Sequence, residues 1–88
     1  MNTVADLARA FGSVIAEERR RKGMTQKLLA ERIGASELYI SFLECGQRKP
    51  SLNSLILIAG SLGLEPAELT RRVCSELESV ADSRHAAA

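Results

Sequence analysis

Apolar residues along this chain recur at steps of three and four and never alternate for long, so the pattern predicts helices and no strands. Val4, Leu7, Ala8, Phe11, Val14 and Ile15 form the first stripe. It predicts an amphipathic helix that begins after Asn2 or Thr3 and reaches about Lys22, where Gly23 supplies the stop. Gly12 weakens the middle of that helix by about 1 kcal/mol relative to alanine. A second helix, N-capped by Thr25, buries Leu28, Leu29 and Ile33 and ends at Gly34. Ser36 then caps a third, with Ile40 and Leu43 on one face and Gly46 at its end. After a polar connection closed by Pro50, Ser51 caps a fourth helix, in which Leu52, Leu55, Ile56, Ile58, Ala59 and Leu62 are apolar and which Gly63 terminates. Pro66 suits the first turn of a fifth, with Glu65 and Glu68 at the positive end of its dipole and Leu69, Val73 and Leu77 as its stripe. From about Ser79 the apolar surface runs out. The expectation is an all-α fold, a compact five-helix domain over residues 1–78 followed by a frayed tail over 79–88.

Composition narrows this picture. With 88 residues there is room for one small domain, and 45% hydrophobic against 3% aromatic content leaves Leu, Ile, Val and Ala to fill the core. That suits helix packing. Cys45 and Cys74 stand 29 positions apart without a CxxC pair, and His85 is alone, so the chain offers no metal-ligand set. The cysteines read as reduced thiols of a cytoplasmic protein, with a redox switch as the other reading. Catalysis needs converging acid, base or nucleophile groups, and none converge here, so no enzyme and no cofactor are expected. The longest apolar run, Leu55 to Ala59, falls far short of the roughly 20 residues of a membrane span, and the N-terminus does not read as a secretion signal.

Function concentrates in Gln26 to Cys45, QKLLAERIGASELYISFLEC. Two short helices can cross steeply through a tight turn only if small residues sit at the crossing and the turn residue accepts a left-handed backbone. Ala30 and Gly34 meet those demands, and Leu29, Ile33, Ala35, Ile40 and Leu43 are apolar where the pair would share a core. The longer string GMTQKLLAERIGASELYISFLECGQRKPSLNSLILIAGSLGLEPAEL resembles the Cro/C1-type helix-turn-helix family of phage, plasmid and bacterial regulators. The resemblance covers about Phe11 to Leu69 and is carried by Gly23, Thr25, Gln26, Leu29, Ala30, Gly34, Ile40, Ser41, Glu44, Gly46 and Pro50. Among small members the tyrosine-isoleucine-serine string is similar to restriction–modification controller proteins and plasmid-borne repressors. It implies a lambda-repressor-like domain that binds palindromic double-stranded operator DNA as a homodimer, within a bacterial cytoplasm and of plasmid or phage origin.

The helix opening at Ser36 would then lie in the major groove, where every base pair shows a distinct pattern of donors and acceptors. Its outward residues would be Ser36, Glu37, Leu38, Ser41 and Phe42, with Tyr39 at the edge. Glu37 can accept from a cytosine amino group, Ser41 can act as donor or acceptor, and Leu38 or Phe42 can touch a thymine methyl. Many family members carry Gln, Arg or Lys at one or more of the positions matching Glu37, Leu38 and Phe42, and this chain departs from that pattern. Phe42 could otherwise fold against the loop at Gln47 to Lys49 or meet a partner protein, and Tyr39 could bind a phosphate or simply pack its ring. Gln26 stands in the first turn of the second helix, where free amides favour a phosphate, with Lys27, Gln47, Arg48 and Lys49 as companions. Solvated loop charge is the plainer account of Arg48 and Lys49.

Arg19, Arg20, Arg21 and Lys22 close the first helix, where cations suit the dipole, so the run needs no polybasic role. The resemblance implies a structural ion pair between Arg19 and Glu44. Surplus apolar residues on the fourth and fifth helices, Leu57, Val73, Cys74 and Leu77, are the expected dimer interface. The net charge of +1 conceals an uneven spread, because residues 15–49 hold eight bases against five acids and residues 50–88 three against five. A basic reading half is followed by an acidic one. The leading function is a repressor that blocks polymerase at its operator. A controller that also activates through contact with RNA polymerase, and an antitoxin-like protein-interaction module, are the alternatives.

Overall fold

The structure, a computed structural model, describes residues 3–87, with side chains described as far as residue 79. Five helices follow one another: α1 (Val4–Arg21), α2 (Gln26–Ile33), α3 (Glu37–Glu44), α4 (Leu52–Ser61) and α5 (Pro66–Ala87). The first four helices each start at a side-chain cap, and those of α2, α3 and α4 are the ones that the sequence predicts. Thr3 forms a capping box with Asp6, its hydroxyl accepting from the Asp6 amide at 3.1 Å while the Asp6 carboxylate accepts from the Thr3 amide. Thr25, Ser36 and Ser51 accept at 3.0 Å from the amides of Leu28, Tyr39 and Ser54. The backbone of α5 continues past Ser79 to Ala87, and the expected fraying concerns residues whose side chains lie outside the described set.

The core lies between all five helices, with Ile15, Leu29, Ile40, Leu43, Ile58, Leu62 and Leu69 fully buried. α1 packs on α3 and α5, α2 on α3 and α4. At one crossing the backbones nearly touch: a Cβ added at Gly12 would lie 2.2 Å from the Leu43 carbonyl oxygen and 2.7 Å from that of Glu44. Gly12 therefore costs helix propensity in α1 and in exchange lets α3 seat against it. α5 is tied to α1 by buried Glu18, which accepts from Arg72 and also pairs with Arg21 at 3.2 Å.

Three expectations change. Val73 and Leu77, expected as surplus surface for a second copy, are 5% and 8% exposed. Because α5 runs along α1, both belong to the chain's own core. Val4 and Leu7, expected on the buried stripe of α1, are exposed, as are Leu52 and Ile56 on α4. The first turns of α1 and α4 border an apolar groove of about 320 Å³, lined also by Phe11, Pro50 and Cys74.

Candidate nucleic-acid interface

The helix pair α2 and α3 is set by its turn. Gly34 adopts φ 71° and ψ 30°, a left-handed conformation that strains any residue with a Cβ, and the Ala35 amide closes on the Ala30 carbonyl at 2.9 Å. Two residues later Ser36 starts α3. Ile40 and Leu43 point into the core with no exposed surface, which fixes the rotation of α3 about its axis. Glu37 and Leu38 consequently stand outward, Leu38 with 60% of its surface exposed, while Ser41 and Phe42 are half-buried on the adjoining strip. Lys27, Gln47, Arg48 and Lys49 are exposed.

Arg19 anchors this surface from behind. Its guanidinium meets the Glu44 carboxylate with two bonds, Nε to Oε2 at 2.6 Å and Nη2 to Oε1 at 3.0 Å, and its Nη1 donates to the Met24 carbonyl at 2.7 Å. The structural pair implied by the resemblance is thus present, and it also holds the α1–α2 connection. The hydrogen bond to Glu44 raises the Arg19 pKa above its ordinary value, outweighing the opposing effect of burial. Gln26 joins the same group, its Nε2 donating to Glu44 Oε1 at 2.9 Å. That bond orients the side chain expected at a phosphate, and its amide oxygen is an acceptor only. Any phosphate contact from Gln26 would therefore use the remaining side-chain N–H or its own backbone amide in the first turn of α2.

Tyr39 has a packed ring and a bonded hydroxyl. The hydroxyl lies 2.7 Å from Ser54 Oγ, and Ser54 Oγ accepts from Ser51 Oγ at 3.0 Å. Arg48 stands over the ring, 5.7 Å from its centroid, within cation–π reach. A hydroxyl chain thereby joins α3 to the start of α4, and one candidate phosphate ligand is steadied by another. Sequence reasoning missed Ser54. Its only signal was a second serine three residues after the N-cap, which is too common to single out. Both cysteines are free and exposed, and among the described residues no group of three or more His, Cys, Asp or Glu could hold a metal ion. No helix among them is long and apolar enough to cross a membrane.

Two short helices joined by a left-handed glycine turn, the second presenting its outer face beside exposed cations, define a helix-turn-helix DNA-binding domain. Sequence comparison agrees: the chain belongs to the helix-turn-helix family of Cro/C1 type, which matches residues 15–69, and it is a DNA-binding transcriptional regulator rather than an enzyme. It is 41% identical over 64 residues to an uncharacterized HTH-type transcriptional regulator, y4dJ, of Sinorhizobium fredii, covering 73% of this chain and 83% of that one. Among solved structures it is similar to the clp gene regulator ClgR of Corynebacterium glutamicum, with a TM-score of 0.88 and 28% identity over 92% of this chain and 86% of that one. It is also similar to the restriction-modification controller protein C.Esp1396I, solved as a tetramer with its natural 35 base-pair operator. There the TM-score is 0.73 and the identity 31%, over 81% of this chain and 93% of that one.

Proposed function

We propose that this regulator represses transcription by binding a palindromic operator in the cytoplasm as a homodimer, with α3 in the major groove. The observation that carries the reading is the outward face of α3, held in one rotation by Ile40 and Leu43 and bordered by Lys27, Arg48 and Lys49. Ser36, Glu37, Leu38, Ser41 and Phe42 read bases, while Gln26, Lys27, Gln47, Arg48 and Lys49 hold the backbone and Tyr39, its hydroxyl taken by Ser54, steadies Arg48. One eight-residue helix spans few base pairs, so a second copy is needed for useful specificity.

The dimer surface is the outer face of α4, with exposed Cys74 of α5 as the remaining candidate. Ile56 and Leu57 are 46% and 50% exposed, and Gly60 follows them at helical spacing. Among the described residues nothing lies within 4 Å of a Cβ built at Gly60, so their packing does not ask for glycine there. A partner helix approaching closely would. Sedimentation at micromolar concentration is expected to give a dimer, and Leu57→Glu a folded monomer with weakened operator binding. A wild-type monomer that binds its operator normally would overturn the two-fold reading.

The likeness to a restriction-modification controller favours one further reading, in which the protein also activates by touching RNA polymerase. The position of its footprint relative to the promoter separates the two, since a site overlapping the polymerase elements represses and one just upstream activates.

A further inference from the structure

The reading face of α3 is chemically unusual for a surface that must recognise base edges. From Glu37 to Glu44 the helix reads ELYISFLE, without a single Arg, Lys, Asn or Gln. Guanine presents two acceptors in the major groove and adenine an acceptor beside a donor, so the strong two-bond contacts to purines need those absent side chains. The Tyr39 hydroxyl is engaged with Ser54, which leaves the small Ser36 and Ser41 hydroxyls as the side-chain donors on the outer face. Glu37, ionised, only accepts, and against the guanine acceptors it would be repelled. Turned away from the buried pair Ile40 and Leu43 stands an apolar ridge instead: Leu38, 60% exposed, then half-buried Phe42 one turn on and exposed Cys45 beyond it.

We infer that this ridge reads the C5-methyl groups of pyrimidines, so that thymine and 5-methylcytosine are equivalent ligands for Leu38 and Phe42. The inference deepens the operator reading above and rests on it. The apolar side chains gain by leaving water only where the groove offers an apolar group, and the C5-methyl is the one that the major groove has. Glu37, at the flank, adds a preference for the cytosine amino group, which C5 methylation leaves intact. Cytosine methylation within a half-site therefore strengthens binding, and the protein responds to the methylation state of its DNA. The basic side chains that flank the ridge, Lys27, Arg48 and Lys49, belong to other segments and supply phosphate contacts that are blind to the methyl.

The test uses the full chain and a site recovered by selection from random duplexes. Four versions of that site are compared: with thymine, with deoxyuridine at the groove-facing thymines, and with cytosine or 5-methylcytosine placed there. Each methyl removed from thymine is expected to weaken binding about fourfold, and methylating the cytosine version to recover a similar factor. In Leu38→Ala these differences shrink while thermal stability stays put, because Leu38 is largely exposed. Uracil bound as tightly as thymine, or a methyl effect that persists undiminished in both Leu38→Ala and Phe42→Ala, overturns the methyl readout while leaving the operator reading intact. Recovery of no preferred site removes the operator reading, and the methyl readout with it.

Discussion

Arg19 stands where three helices meet, and its side chain is nearly out of contact with water, as is that of Glu44. In such a place the net gain of the pair is small, but loss of one member strands the other's charge. Arg19→Ala and Glu44→Ala are each expected to lower unfolding free energy by about 3 kcal/mol in urea titrations, a large share of a small domain's stability. Arg19→Lys rescues little, since an ammonium cannot bridge both carboxylate oxygens and the Met24 carbonyl as the planar fork does. The double alanine variant should lose less than the two single losses added together. Glu44→Ala also releases Gln26, so its operator affinity should fall further than the same variant's fraction folded explains.

Between elements, two glycines within helices make opposite predictions. Gly12→Ala forces a methyl into the α3 backbone and is expected to destabilise by roughly 1–3 kcal/mol despite the better helix propensity of alanine. Gly60→Ala meets nothing among the described residues and should stabilise the monomer by roughly 0.5–1 kcal/mol, yet loosen the proposed dimer. Thermal melts of the monomeric Leu57→Glu background separate the two effects. These glycines also show what a sequence conveys. Caps and stops depend on a few adjacent residues, so Thr25, Ser36, Ser51 and Gly34 were legible. Gly12 appeared only as a helix weakness, because its neighbour, the Leu43 carbonyl, is distant in sequence. Val73 and Leu77 were misplaced for a related reason: periodicity marks an apolar face without saying whether α1 or a second copy covers it. The outward face of α3 was legible because α3 is short and both of its core residues are plain, whereas the Tyr39 to Ser54 bond needed the spatial meeting of α3 and α4.

For the whole molecule, a net charge of +1 divides into a basic segment that carries α2, α3 and the following loop, and an acidic one that carries α4 and α5. Bulk attraction to DNA is therefore modest, and affinity must come from directed contacts and, in the proposed dimer, from two-fold symmetry. Lys49→Ala is expected to weaken binding nearly equally on all sequences and to flatten the salt dependence by about one unit of slope per protomer, leaving the preferred bases unchanged. Titrations at several salt concentrations measure this. The proposed dimer belongs to the same scale, because two copies of α3 related by a two-fold axis would enter successive turns of one groove. The most direct measurement is the selection of bound duplexes from random DNA by the full chain, followed by sequencing. The account predicts a two-fold symmetric motif with half-site centres about one helical turn, roughly 34–36 Å, apart. Recovery of no enriched motif, or of one without symmetry, would contradict it.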